Sequence, residues 1–105
     1  MKQSVKNAEI VYNQNGVVGK RMINHGNFEY MHLQFDIKGE TNDHVQDYLM
    51  TFFVIKGKAK VLINQVENEL DCGEIITIAA GASRQWKNTG DETLELFVIK
   101  VASGR

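Results

Sequence analysis

The sequence predicts an all-β chain folded as one small barrel or sandwich, and three observations carry that expectation. Runs rich in Val, Ile, Phe and Tyr recur at intervals of about ten residues, with Gly or Asn turns between them, the spacing of a sandwich or barrel. Within several runs apolar and polar residues alternate with period two, as a half-buried strand requires. Nowhere do apolar residues hold a helical period for long.

Taken in order, Ile10-Val11-Tyr12 and Val17-Val18 flank Asn13-Gln14-Asn15-Gly16, where Asn-Gly favours hairpin geometry. After Lys20-Arg21-Met22-Ile23, the stretch Asn24-His25-Gly26-Asn27 reads as a loop. Phe28 to Ile37 alternates, with Met31, Leu33, Phe35 and Ile37 on one face and Tyr30, His32, Gln34 and Asp36 on the other. Lys38-Gly39-Glu40 turns the chain into a run apolar on both faces: Met50, Phe52 and Val54 on one, Phe53 and Ile55 on the other. Such a run suits a strand covered on both sides. Lys56-Gly57-Lys58 stops it, Ala59 to Ile63 is the return strand, Asn64-Gln65 turns, and Val66 to Leu70 alternates. Gly73 opens Ile75 to Ile78, Gly81 breaks that strand, and Arg84 to Asn88 resumes. Residues 43–88 therefore read as two strand pairs, each hinged on a glycine and facing one another. A loop from Asn88 to Glu92 leads to a last apolar strand, Leu94 to Val101. With no proline, the turns rest on Gly and Asn, which tolerate positive φ.

At 105 residues, positions 1–105 make a single domain able to bury a sizeable core. Twelve basic against thirteen acidic residues leave a net charge of −1, which provides no field for nucleic acid and no basic stripe for a membrane surface. The one cysteine, Cys72, cannot form an intramolecular disulfide, which suits a reducing cytoplasm. Residues 1–9 are too polar for a signal-peptide core, and no apolar run approaches the roughly 20 residues of a membrane span. The expected location is cytoplasmic. Cys72 has no base beside it in sequence and reads as a packed or half-exposed thiol, while His25 reads as a solvated loop residue. No phosphate loop, serine-nucleophile elbow or metal-binding cysteine pattern occurs.

The glycine framework carries a family resemblance. Gly57, Gly73, Gly81 and Asn88 fall on the scaffold positions of two motifs, at about 39–57 and 73–88, and Ala79 stands where the second motif has a proline. From about Met31 to Val101 the chain resembles the cupin superfamily. The resemblance implies a cupin-like β-barrel, the double-stranded β-helix or jelly roll, and a homodimer. It also implies that the first strand reaches a neighbouring copy; the alternative is a frayed terminus.

Metal-binding members of that family use two histidines and a glutamate from the first motif and a histidine from the second. The matching positions here hold His44, Gln46, Met50 and Arg84, while a register one residue earlier puts Asp43 and Val45 at the first two. A thioether and a guanidinium at two of four positions argue against a bound metal, and no cofactor is expected. His32, Asp43 or Asp47 could still complete a shell around His44. If position 50 points inward, as the resemblance implies, Phe52 and Val54 do too, and Arg84 and Trp86 face them from the second motif. An inward arginine requires an anionic partner or several acceptors. That partner is either Asp43 or Asp47, forming a structural ion pair, or a ligand carboxylate or phosphate.

The expected function is metal-independent binding of a small anionic organic molecule. His44, Gln46 and Arg84 would be its polar contacts, and Met50, Phe52 and Trp86 its walls, with Tyr48 near the barrel mouth. Two rivals remain: a cupin enzyme of isomerase, decarboxylase or oxygenase type with a non-standard metal shell, and a structural or regulatory barrel with a filled interior.

Overall fold

The computed structural model describes residues 1–101. Ten strands follow one another: β1 Glu9–Gln14, β2 Val17–His25, β3 Phe28–Phe35, β4 His44–Val45, β5 Leu49–Lys56, β6 Lys58–Ile63, β7 Val66–Asp71, β8 Ile75–Ile78, β9 Ser83–Asn88 and β10 Leu94–Val101. They form a six-stranded sheet in the order β1-β2-β3-β10-β5-β8 and a four-stranded sheet in the order β4-β9-β6-β7. The inner faces of the two sheets share one apolar core, to which Phe35, Phe52, Val54 and Leu96 come from the larger sheet and Val61, Leu70 and Trp86 from the smaller. Among the described residues no helix is long and apolar enough to cross a membrane.

The strands occupy the expected stretches, but their pairing corrects one expectation. β5 and β6 flank Gly57 without bonding to each other: β5 pairs with β10 and β8, and β6 with β7 and β9. Gly81 likewise separates β8 in the larger sheet from β9 in the smaller. These glycines are corners where the chain changes sheet, not hairpin hinges. Gly57, at φ 90°, is in the left-handed region, and a Cβ there would stand 2.9 Å from the Thr93 carbonyl oxygen. Only glycine satisfies both demands.

Parity along β5 is as expected on the inner side, where Met50, Phe52 and Val54 are buried. The outer side differs, because Leu49, Phe53 and Ile55 remain 37–43% exposed and no element of the described chain covers them. β3 is also shorter than its alternation suggests. It stops at Phe35, and Ile37, expected on the buried face, is exposed. The Asn88 side-chain amide takes the Phe35 and Asp36 carbonyls, and Gly39 N–H bonds back to Asp36 O, so the chain turns before another ladder pair can form. The first loop is tighter than read: β2 runs to His25 and β3 starts at Phe28. β1 is ordered and pairs with β2 at the sheet edge, so the terminus is not frayed there.

Candidate functional site

β9 builds the floor of the site. Its alternation buries Arg84, Trp86 and Asn88 and leaves Ser83, Gln85 and Lys87 half-exposed. Trp86 is fixed through its main chain, which donates to Thr41 Oγ1 at 2.9 Å and accepts from Thr41 N–H at 2.9 Å. Its ring tilts against Phe52 with centroids 4.7 Å apart, a favourable aromatic contact between the two sheets. β4 lies alongside β9, setting His44 opposite Arg84, and Gly81 N–H donates to the Gln46 carbonyl at 2.8 Å. The two motifs are therefore joined main chain to main chain beside the site.

A cavity of about 90 Å³ opens between the sheets. His44, Gln46, Met50, Phe52, Arg84 and Trp86, the six residues singled out from sequence, all line it. Asp43 and Val45, the alternative register, are exposed instead. Tyr12, Thr41, Met31 and Leu33 also line the cavity and were not anticipated as site residues. The signals were faint: Tyr12 is the half-buried position in an otherwise exposed β1, and Thr41 precedes the motif in a stretch without pattern. Tyr48, placed near the mouth, instead packs its ring beneath the Lys100 ammonium, 4.3 Å from the centroid.

Arg84 is the chemical centre of the site. It is 1% exposed; Nη2 donates to the carbonyls of Ala79 and Ala82 at 3.2 and 3.0 Å, and Nη1 reaches Met50 Sδ at 3.4 Å. Neither Asp43 nor Asp47 pairs with it, so the structural ion pair expected as one alternative does not form. Asp43 is held at the surface by Gln65, and Asp47 is exposed. Burial pushes the guanidinium below its usual range. It still remains charged, because arginine does not deprotonate in proteins. Partial charges on two carbonyls and a thioether are all the described chain offers it. Arg84 Nε, Trp86 Nε1 and the Tyr12 hydroxyl are buried without a hydrogen-bond partner, and all three residues line the same cavity.

The donor set does not suit the metal that the family fold implies. A guanidinium repels a cation, a thioether binds hard or borderline ions poorly, and a neutral amide adds little. No grouping of three His, Cys, Asp or Glu side chains able to hold an ion occurs among the described residues. His32, a possible replacement ligand, belongs to the opposite face of β3 and bonds Glu95 through Nε2 at 2.9 Å. His44 Nδ1 lies 2.8 Å from the Asn42 carbonyl and must donate to it, which leaves Nε2 as the acceptor of the neutral ring.

One step further along the inner faces, two residues beyond Met31 and Val98, lie Glu29 and Lys100, which are ladder partners. Glu29 bonds Arg21 and sits 3.6 Å from Lys100, and Arg21 also reaches Glu9 at 3.3 Å. Burial raises the Glu29 pKa, but the hydrogen bond and charge of Arg21, joined by Lys100, outweigh it and hold the carboxyl below its usual value.

The cupin domain family model matches residues 31–100, and the chain belongs to the cupin family. Solved structures agree on the fold. The cupin domain of Cnp3 from Schizosaccharomyces pombe superposes with a TM-score of 0.82 at 16% identity, over 95% of this chain and 72% of that one. An RmlC-like cupin from Shewanella frigidimarina gives 0.81 at 16%, over 98% and 96%. A predicted oxalate decarboxylase from Thermotoga maritima gives 0.82 at 15%, over 97% and 99%. At such identities the likeness shows the double-stranded β-helix fold alone. No curated protein matches the sequence.

Proposed function

We propose that this cupin is a metal-independent binding module whose barrel holds a small anionic organic molecule against Arg84. The observation that carries the reading is a guanidinium 1% exposed, with no carboxylate paired to it among the described residues. A buried charge met only by neutral acceptors keeps part of its desolvation cost, so an anion from outside has an electrostatic advantage there. His44 and Gln46 supply polar contacts at the half-exposed side of the cavity, and Met50, Phe52 and Trp86 supply its walls. The open volume favours this reading over a structural barrel with a filled interior. Isothermal titration of untagged protein with a library of organic acids tests it: at least one acid binds, and Arg84→Ala abolishes that binding. Binding indifferent to Arg84→Ala would overturn the reading.

The apolar outer face supports a homodimer as well. Phe53, Ile55 and Ile75 are 37–62% exposed on adjacent strands β5 and β8, on the flank opposite the cavity. A second copy of the chain burying that flank gives β5 the outer cover it lacks. The expected result is a dimer mass by light scattering that Phe53→Glu with Ile75→Lys converts to a monomer; a wild-type monomer at micromolar concentration would count against it. The balanced charge and lone, exposed thiol of Cys72 favour a cytoplasmic location.

A further inference from the structure

We infer that the ligand is a short-chain monocarboxylate, with a body no larger than about four carbons. This rests on the anion-binding reading of Arg84 and narrows it by charge, donor count, wall chemistry and volume.

Charge comes first. Of the residues lining the cavity, Arg84 is the one Lys or Arg. One buried positive charge is neutralised by one carboxylate, whereas a dicarboxylate or a phosphate near neutral pH carries excess negative charge into a chamber whose described lining adds no second Lys or Arg, only the His44 imidazole and the Gln46 amide at its half-exposed side. Donor count agrees. Three of the five guanidinium N–H groups of Arg84 go to the Ala79 and Ala82 carbonyls and to Met50 Sδ, leaving Nε–H and one Nη1–H; Trp86 Nε1–H and the Tyr12 hydroxyl add two further donors without a partner among the described residues. A carboxylate has two oxygens and about four lone-pair sites, enough for these four donors. Ordered water could accept the same bonds, but water brings no charge.

Most of the remaining wall is apolar, with Met31, Leu33, Phe52 and Val98 facing the space and Thr41, His44 and Gln46 making up its polar part. That lining suits an alkyl tail and offers no second cation to a second acid group. Volume sets the length. The cavity measures about 90 Å³, against about 150 Å³ for an apolar cavity that admits benzene. The tail is therefore smaller than a benzene ring.

The experiment is calorimetric titration of the untagged protein with acetate, propionate, butyrate, benzoate, succinate, inorganic phosphate and the neutral amide propionamide. Propionate or butyrate is expected to bind at least ten-fold more tightly than benzoate, succinate or phosphate, and propionamide not to bind. Tyr12→Phe, which keeps the ring and removes only the unpartnered hydroxyl, lowers propionate affinity several-fold without lowering the melting temperature. Met31→Ala enlarges the chamber and moves the preference toward benzoate. Succinate or phosphate binding as tightly as propionate, with Arg84→Ala still abolishing it, overturns the monocarboxylate class while leaving the anion reading standing. Propionamide matching propionate, or no anion binding at millimolar concentration, overturns both.

Discussion

Arg21 on β2 and Arg84 on β9 belong to different sheets, and the chain treats their charges in opposite ways. Arg21, with 41% of its side chain exposed, bonds Glu29 and Glu9. Arg84, 1% exposed, has two carbonyls, a sulfur and, among the described residues, no carboxylate. Pairing raises the Arg21 pKa, whereas burial lowers that of Arg84. The acids sit where water would screen the charge anyway and are missing where nothing else does. A fold selected for stability alone would place them the other way round, and that difference between the two arginines is what supports the proposed anion-binding reading.

Giving Arg84 an internal partner is the strongest way to break the contrast. Met50→Glu puts a carboxylate where Sδ now lies 3.4 Å from Nη1. The site then neutralises itself, and carboxylate affinity falls by about 100-fold, the scale of a desolvated charge pair; unchanged affinity by calorimetry would mean that Arg84 is not the anchor. Removing each charge in turn has a smaller effect, of opposite sign. Arg84→Met deletes an unmatched buried charge and raises the stability of ligand-free protein by about 1 kcal/mol, since replacing a poorly compensated buried ion with a well-packed apolar side chain is neutral to stabilising. Ala79 is exposed, so water can serve its released carbonyl. Arg21→Met lowers stability by about 0.5–1 kcal/mol, the small value reflecting solvent screening of a half-exposed pair. Urea denaturation of both variants checks the signs.

The smallest effect is a pH dependence that belongs to Glu29 and not to Arg84. The folded-state pKa of Glu29 lies below its ordinary value of 4.5, so the stabilisation from its pairing is complete above that value and is lost as pH falls through the lower folded one. Glu29→Gln should flatten that part of the acid-unfolding curve, while Arg84→Met should leave its shape unchanged.

Strand positions were legible because period-two alternation and Gly or Asn turns are local signals, and the inward set Met50, Phe52, Val54, Arg84 and Trp86 follows from parity once the family resemblance sets position 50 inward. Which strand bonds to which is not local. Gly57 looks the same in sequence whether it closes a hairpin or turns a corner, and the contact that decides, with Thr93, comes from a distant loop. The same limit hid Tyr12, which reaches the cavity from the sheet edge, and Thr41, whose hydroxyl holds Trp86 across 45 positions of sequence. Asp43 and Asp47, beside His44 and Gln46 in sequence, were credible partners for Arg84, but short β4 brings His44 to Arg84 while Asp43 turns outward to Gln65. Ile37 followed the alternation of β3 until Asn88, remote in sequence, ended the strand before it.

The main-chain bond from Gly81 to Gln46, with the ladder pairing of His44 and Arg84, has a consequence for how such a pocket can change its client. The spacing between the two halves of the pocket is set by atoms every amino acid shares, so exchanging the side chains mounted there leaves the seating intact. Imidazoles and a carboxylate on the same mounts would make a socket for a cation; on the proposed reading a guanidinium and a thioether would make one for its opposite, and passing from one to the other needs new fittings but no new frame.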